Sequence, residues 1–199
     1  MKKRIITISR QFGSGGHSIG GSVARQLGVP CYDKELLDRI ASETGFTSNF
    51  VKAASEYATS NSSLLWNLVM NQSLRNGSSE NPVDSIYFAQ SKIIRELAEK
   101  ENCVIIGRCS DYILREREDC LHIFICSDKE SRTKRILEHY ENVNKSVDKR
   151  IHDMDTRRQL YYSHYTDRVW GAPENYHAVF NSGALGEDNC VQAIIDLYK

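Results

Sequence analysis

A chain of 199 residues is long enough to bury one full hydrophobic core. Its 26 lysines and arginines balance its 26 aspartates and glutamates, so it carries no basic footprint for a nucleic-acid polymer or an anionic membrane surface. No apolar run approaches the roughly 18 residues of a spanning helix, and the basic amino terminus lacks the apolar core and cleavage site of a secretion signal. The six cysteines form no CxxC pair, so an intracellular, cytoplasmic protein with reduced core cysteines is expected.

The segment RIITI at 4–8 is a β-branched run ending in a Gly/Ser cluster, which predicts a buried parallel strand and a turn. Ile19, Val23, Ala24 and Leu27 then recur at helical spacing, and Gly28-Val29-Pro30 closes that helix before a short strand at Cys31-Tyr32. Asp33 is placed to cap a helix over 34–44, with Leu36, Leu37 and Ile40 on one side and Gly45 at its end. Residues 46–82 turn polar and Ser/Asn-rich, with helical patches at Leu64-Leu65-Trp66 and Leu68-Val69, and predict a mobile helical insert. A helix over 83–100 leads into a strand at 103–106, with Gly107-Arg108 at its carboxyl end. A fourth strand covers 121–126 and Asp128 caps a helix running through Ile136 and Leu137. A charged helix covers 147–165, a fifth strand 176–180 and a closing helix 188–198. This alternation implies a three-layer α/β fold: a roughly five-stranded parallel sheet covered on both faces, with ligands at the carboxyl ends of its strands. The whole chain, 1–199, reads as one domain.

The sequence from Ser9 to Ser18, SRQFGSGGHS, lies between a strand and a helix. In that context Gly13, Ser14, Gly15 and Gly16 can turn backbone N–H groups toward a phosphate, and the helix start adds its positive dipole end. A loop of the GxxxxGK[ST] form also carries a lysine; here Gly16 falls at that position, followed by His17 and Ser18. His17 would partly replace the missing cation and Ser18 would offer its hydroxyl to magnesium. A tight strand-to-helix turn and a solvated histidine are the alternative reading of the same residues.

The loop, ISRQ-aromatic-GSGG before a helix, resembles that of the cytidylate kinases and more closely the cytidylate-kinase-like proteins, over nearly the whole chain. The archaeal-type enzymes are similar in lacking the lysine. The resemblance implies a P-loop NTPase-like kinase fold, with an acceptor-site insert at 46–82 and a lid at 147–168. It also implies use of ATP and Mg2+, and a nucleoside monophosphate acceptor, CMP or dCMP. DKELLDR has the spacing of the family's DSGxxYR segment, which marks Asp33 and Arg39 for the acceptor phosphate. A guanidinium offers phosphate a fork of donors that an ammonium cannot; a surface ion pair is the alternative for Arg39. Gly107-Arg108 is similar to the family's GRD motif, with Cys109 in place of the aspartate and Asp111 two residues on, toward base or sugar or as a helix cap. MDTRR keeps the lid's D-x-x-R as Asp155 and Arg158, with Lys149, Arg150 and Arg157 nearby and Arg150 one position out of strict register. The aromatic segment after it, YYSHYTDRVWGAPENY, is similar to the cytidylate-kinase-like subgroup, and helix packing is its expected role. A kinase for another nucleotide or small metabolite, and a silent nucleotide-binding module, stand as the other readings. Oligomeric state is not fixed.

Overall fold

The computed structural model describes residues 4–57, 82–139 and 146–199. Its sheet has five strands: β1 Ile5–Arg10, β2 Cys31–Tyr32, β3 Cys103–Ile106, β4 Cys120–Cys126 and β5 Ala178–Asn181. They lie in the order β2-β3-β1-β4-β5, every pair parallel. The helices among the described residues are α1 Gly16–Leu27, α2 Lys34–Thr44, α3 Ser48–Tyr57, α4 Pro82–Lys100, α5 Ser110–Ile113, α6 Lys129–His139, α7 Val147–Thr166, α8 Ser182–Leu185 and α9 Glu187–Tyr198. The helical patches expected at 64–69 lie outside the described residues. No helix among those described is long and apolar enough to cross a membrane.

The two-residue period of β1 assigns its side chains to two cores. Ile6 and Ile8 point to the face covered by α1 and α9, where they meet Ile19, Val23, Ile194 and Ile195. Ile5 points to the other face, against Leu36, Ile40, Ile94 and Tyr161 of α2, α4 and α7. Each fully buried isoleucine contributes about 2 kcal/mol. The same face turns polar further along β1. Thr7 Oγ1 lies 2.8 Å from His122 Nδ1, and the Ser9 hydroxyl donates to Asp111 Oδ1 at 3.2 Å.

Two boundaries and one helix cap depart most from expectation. Strand β1 continues through Ser9 to Arg10, because β4 supplies parallel partners as far as Ile125 opposite Arg10. Strand β5 begins at Ala178, not 176, because Pro173–Asn175 forms a 3-10 turn that delivers Tyr176 to the core edge. Asp33 occupies the N-cap position of α2 without a side-chain capping bond; its carboxylate is turned to His17 and Arg10 instead. Asp128 does cap α6, accepting from the Ser131 amide at 2.9 Å. The six cysteines are free, four of them buried. Burial pushes the Cys103 thiol up to about 12.

Candidate active site at the carboxyl edge of the sheet

The loop joining β1 to α1 is fixed residue by residue. Gln11 Oε1 accepts from the Ser127 amide at 3.0 Å, tying the loop to the end of β4. Phe12 turns away from the sheet into a small core with Ile136 of α6 and Ile151 of α7. Its amide donates to Asp155 Oδ1 at 2.7 Å, while Asp155 Oδ2 holds Arg132. Gly13 and Gly15 have φ of 80° and 78°, in the left-handed region that side chains avoid. Ser14 is buried, and its hydroxyl donates to the carbonyls of Gln11 and Ile125. Its role is therefore to shape the loop, whose amide face is left to the glycines. The Ser14 carbonyl accepts from Ser182 Oγ of α8 at 2.7 Å.

Over this loop opens a recess of ≈ 420 Å³ lined by Gly13, Gly15, Gly16, His17, Ser18 and Arg135 among others. That volume falls in the range of small-molecule sites. The first amides of α1 lack partners four residues back and point out of the helix end, the arrangement that favours an anion. His17 Nδ1 lies 2.9 Å from Asp33 Oδ2, so the imidazole is already engaged by a carboxylate. Ser18 Oγ accepts from Arg135 Nη2 at 2.8 Å, and Arg135 is in turn paired with Glu187. A dication at Ser18 would face that guanidinium, so the residues present do not fit magnesium held at this hydroxyl.

A second, narrower recess of ≈ 70 Å³ adjoins the first along the sheet edge. Arg108, Arg157, Tyr161, Tyr162 and Trp170 contribute to its walls. Gly107, Arg108 and Cys109 form a run of three left-handed residues, with φ of 69°, 61° and 53°. For the two non-glycines this costs about 1–2 kcal/mol each. The turn is held from below by Gln90 Nε2, which donates to the Arg108 carbonyl at 2.9 Å. Cys109, where the resemblance expects an aspartate, is buried, and burial holds its thiol well above the usual range. Asp111 does not line this recess. Its Oδ2 accepts from the Tyr162 hydroxyl at 2.7 Å and its Oδ1 from Ser9, inside the protein. Burial raises its carboxyl above the ordinary range, partly offset by those two bonds.

The two recesses share Arg10 and Arg158. Arg158 Nη1 donates to the Arg10 carbonyl at 2.9 Å, which fixes α7 directly over the end of β1. Arg150 lies over the Phe12 ring at 5.4 Å and lines neither recess. Arg39 is exposed, its guanidinium 5.2 Å from the centre of the Tyr32 ring, and it too lines neither. Sequence reasoning missed Arg10, Arg132 and Arg135. Arg10 carried a signal in its place immediately before the glycine loop. The two α6 arginines, in a stretch of ordinary charged helix, carried none. The aromatic segment packs as expected: Tyr165 stacks on Tyr87 with ring centres 3.9 Å apart, and Trp170 meets Phe124 edge-on.

No curated protein matches the chain. Among solved structures, an uncharacterized protein from Eubacterium ventriosum ATCC 27560 is 28% identical, with a TM-score of 0.72 and 98% of each chain covered. The shikimate kinase from Bacteroides thetaiotaomicron shares the fold at 16% identity and a TM-score of 0.53, covering 97% of both chains. The shikimate kinase from Acinetobacter baumannii, solved with shikimate, does so at 13% identity and 0.52, covering 98% of this chain and 92% of its own. The architecture is thus shared with these shikimate kinases. The glycine loop, the Arg108 turn and the DTRR helix all fall within residues 5–184, which match a single family model, and the chain belongs to the cytidylate kinase-like family.

Proposed function

We propose that the protein transfers the γ-phosphoryl group of ATP to a nucleoside monophosphate, with CMP or dCMP as the acceptor. The observation that carries this reading is the pair of adjoining recesses with Arg10 and Arg158 in their shared wall. One is floored by a glycine loop suited to donor phosphates, the other flanked by Arg108 and aromatic rings suited to an acceptor. Family membership supports kinase chemistry on a small molecule.

Bound ATP would supply the phosphoryl group, accompanied by magnesium carried on its phosphates. The work of the chain is positioning and charge. Loop amides and the start of α1 hold the donor, and Arg108 orients the acceptor. Arg158 and Arg157, on α7, face the space between them, where charge spreads over the equatorial oxygens in flight. Helix α7 keeps water from that space, fastened through Asp155 to the Phe12 amide. No protein base is required. Arg39 would reach the acceptor phosphate by leaving the Tyr32 ring, and the acceptor KM of Arg39→Ala measures whether it does.

The test is ADP formation by the purified protein with ATP, magnesium and a panel of nucleoside monophosphates and small hydroxylated metabolites. Preferential turnover of CMP or dCMP, lost in Arg158→Ala, is expected. The narrowness of the second recess favours one alternative, a smaller acceptor, which the same panel would reveal as turnover of a metabolite in place of CMP. Nucleotide binding without turnover of any acceptor would leave a silent binding module.

A further inference from the structure

The loop has glycine where kinases of this fold carry their phosphate-binding lysine, and the geometry around that glycine shows why. A Cβ built on Gly16 would lie 2.5 Å from Arg10 Cβ and 2.9 Å from Arg10 Cγ. Real Cβ atoms do not tolerate such distances from a backbone-anchored neighbour, so Arg10 occupies the space where the lysine stem would begin. From there its side chain runs along the sheet edge to Gly107, whose missing Cβ leaves room for Arg10 Nη1. Both glycines are thus accounted for by one arginine side chain, Gly16 by its stem and Gly107 by its guanidinium.

We propose that Arg10 takes over the phosphate-binding task of the absent lysine, reaching the donor's terminal phosphate from the end of β1 rather than from the start of α1. This rests on the functional reading above. Arg10 lines both recesses, as a group contacting a phosphate in transit between them must. It is only partly exposed, at 21% of its side chain, so its charge is little screened. Its Nη2 lies 3.9 Å from Asp33 Oδ1, and the other oxygen of Asp33 is engaged by His17. Arg135, another guanidinium beside the loop, is paired with Glu187 and bonded to Ser18, at the far side of Gly15. His17, the residue that sequence order alone offers as a substitute cation, stands exposed against Asp33. A guanidinium also brings two parallel donors, which suits the end of a polyphosphate better than a single ammonium.

Calorimetric titration of ATP and ADP into the full-length wild type, Arg10→Lys and Arg10→Met proteins tests this without reference to turnover. Methionine keeps the stem that packs over Gly16 and removes the charge. The expected result is at least a tenfold loss of ATP affinity in Arg10→Met, a smaller loss for ADP, and partial recovery in Arg10→Lys. Should Arg10→Met not fold, wild-type protein treated with phenylglyoxal gives the same answer by mass spectrometry. Saturating ATP protects Arg10 and leaves Arg25, exposed near the other end of α1, to react. Wild-type ATP binding that Arg10→Met retains in full, or Arg10 modified as fast with ATP as without, overturns the assignment alone. A wild type that binds no ATP overturns the functional reading and the assignment with it.

Discussion

The loop side and the Arg108 side of the sheet's carboxyl edge are built on opposite plans. On the loop side nearly every polar contact binds the backbone to itself or to distant helices, through Gln11, Ser14, Ser182 and Asp155, and the recess above is wide. On the Arg108 side the backbone is bent into three left-handed residues, and buried rings narrow the space. On the proposed function, the difference teaches that the two recesses would obtain specificity from different materials. A phosphate chain is read by fixed amides, which are the same whatever nucleoside follows. An acceptor is read by side chains, which can be exchanged without disturbing the fold.

The sharpest way to break this contrast is to remove the residue common to both sides. Arg158→Ala is expected to lower turnover by about 10²–10³-fold, equivalent to about 3–4 kcal/mol of transition-state stabilisation, with little change in unfolding temperature. Unchanged turnover in a steady-state assay would show that the shared wall is not where reaction occurs. Next in size is Gly107→Ala. It puts a Cβ at φ 69° and into the space of the Arg10 guanidinium, which can swing aside, so it should cost about 1–2 kcal/mol in urea unfolding and weaken ATP binding as Arg10 is displaced. Gly28→Ala, at φ 67° with open space around it, is the control and should cost about 1 kcal/mol. Gly28→Ala should leave ATP binding unchanged, and equal ATP affinity in the two variants would mean that Arg10 does not crowd Gly107.

Asp155→Asn should cost about 1–2 kcal/mol, because it leaves an acceptor for the Phe12 amide but removes the charge that holds Arg132. The same variant should raise the KM for ATP more than that for the acceptor, since Phe12 is part of the loop; the reverse order would contradict the contrast. The smallest effect is a slope with pH. Burial holds Asp111 protonated to higher pH in the folded chain than in the unfolded one. Its contribution is therefore fully present below the unfolded carboxylate pKa and is lost as pH rises through the raised folded value. Urea midpoints of wild type and Asp111→Asn, compared from pH 4 to pH 8, should shift in favour of the variant as pH rises. A constant gap would show that this carboxyl titrates normally.

The architecture was readable because apolar periods switch cleanly between strands and helices. Ile6 and Ile8 against Ile19 and Val23 is a pattern that only a covered parallel sheet satisfies. What escaped was polar. Ser9 and Arg10 look like loop residues, yet backbone pairing with β4 carries the strand through them. Asp33 reads as a cap, but Arg10 and the His17 ring across the sheet edge draw its carboxylate away from the helix amides. The candidate site was legible where a motif lies in one stretch of chain, as in the glycine loop. It was not legible where a long side chain decides which space it fills. Spacing marked Arg39, which lies within α2 and lines neither recess, and passed over Arg10, which ends β1 and lines both.

The loop's fastenings also have a consequence in time. Its partners Asp155, Arg158 and Ser182 lie 143, 148 and 168 residues away along the chain from Phe12, Arg10 and Ser14. Such closures are entropically late and slow to form. A nascent polypeptide leaving the ribosome would carry the entire glycine motif well before Asp155, Arg158 and Ser182 had emerged to fasten it. On the proposed function, competence to bind nucleotide would therefore wait for the segment that carries Ser182.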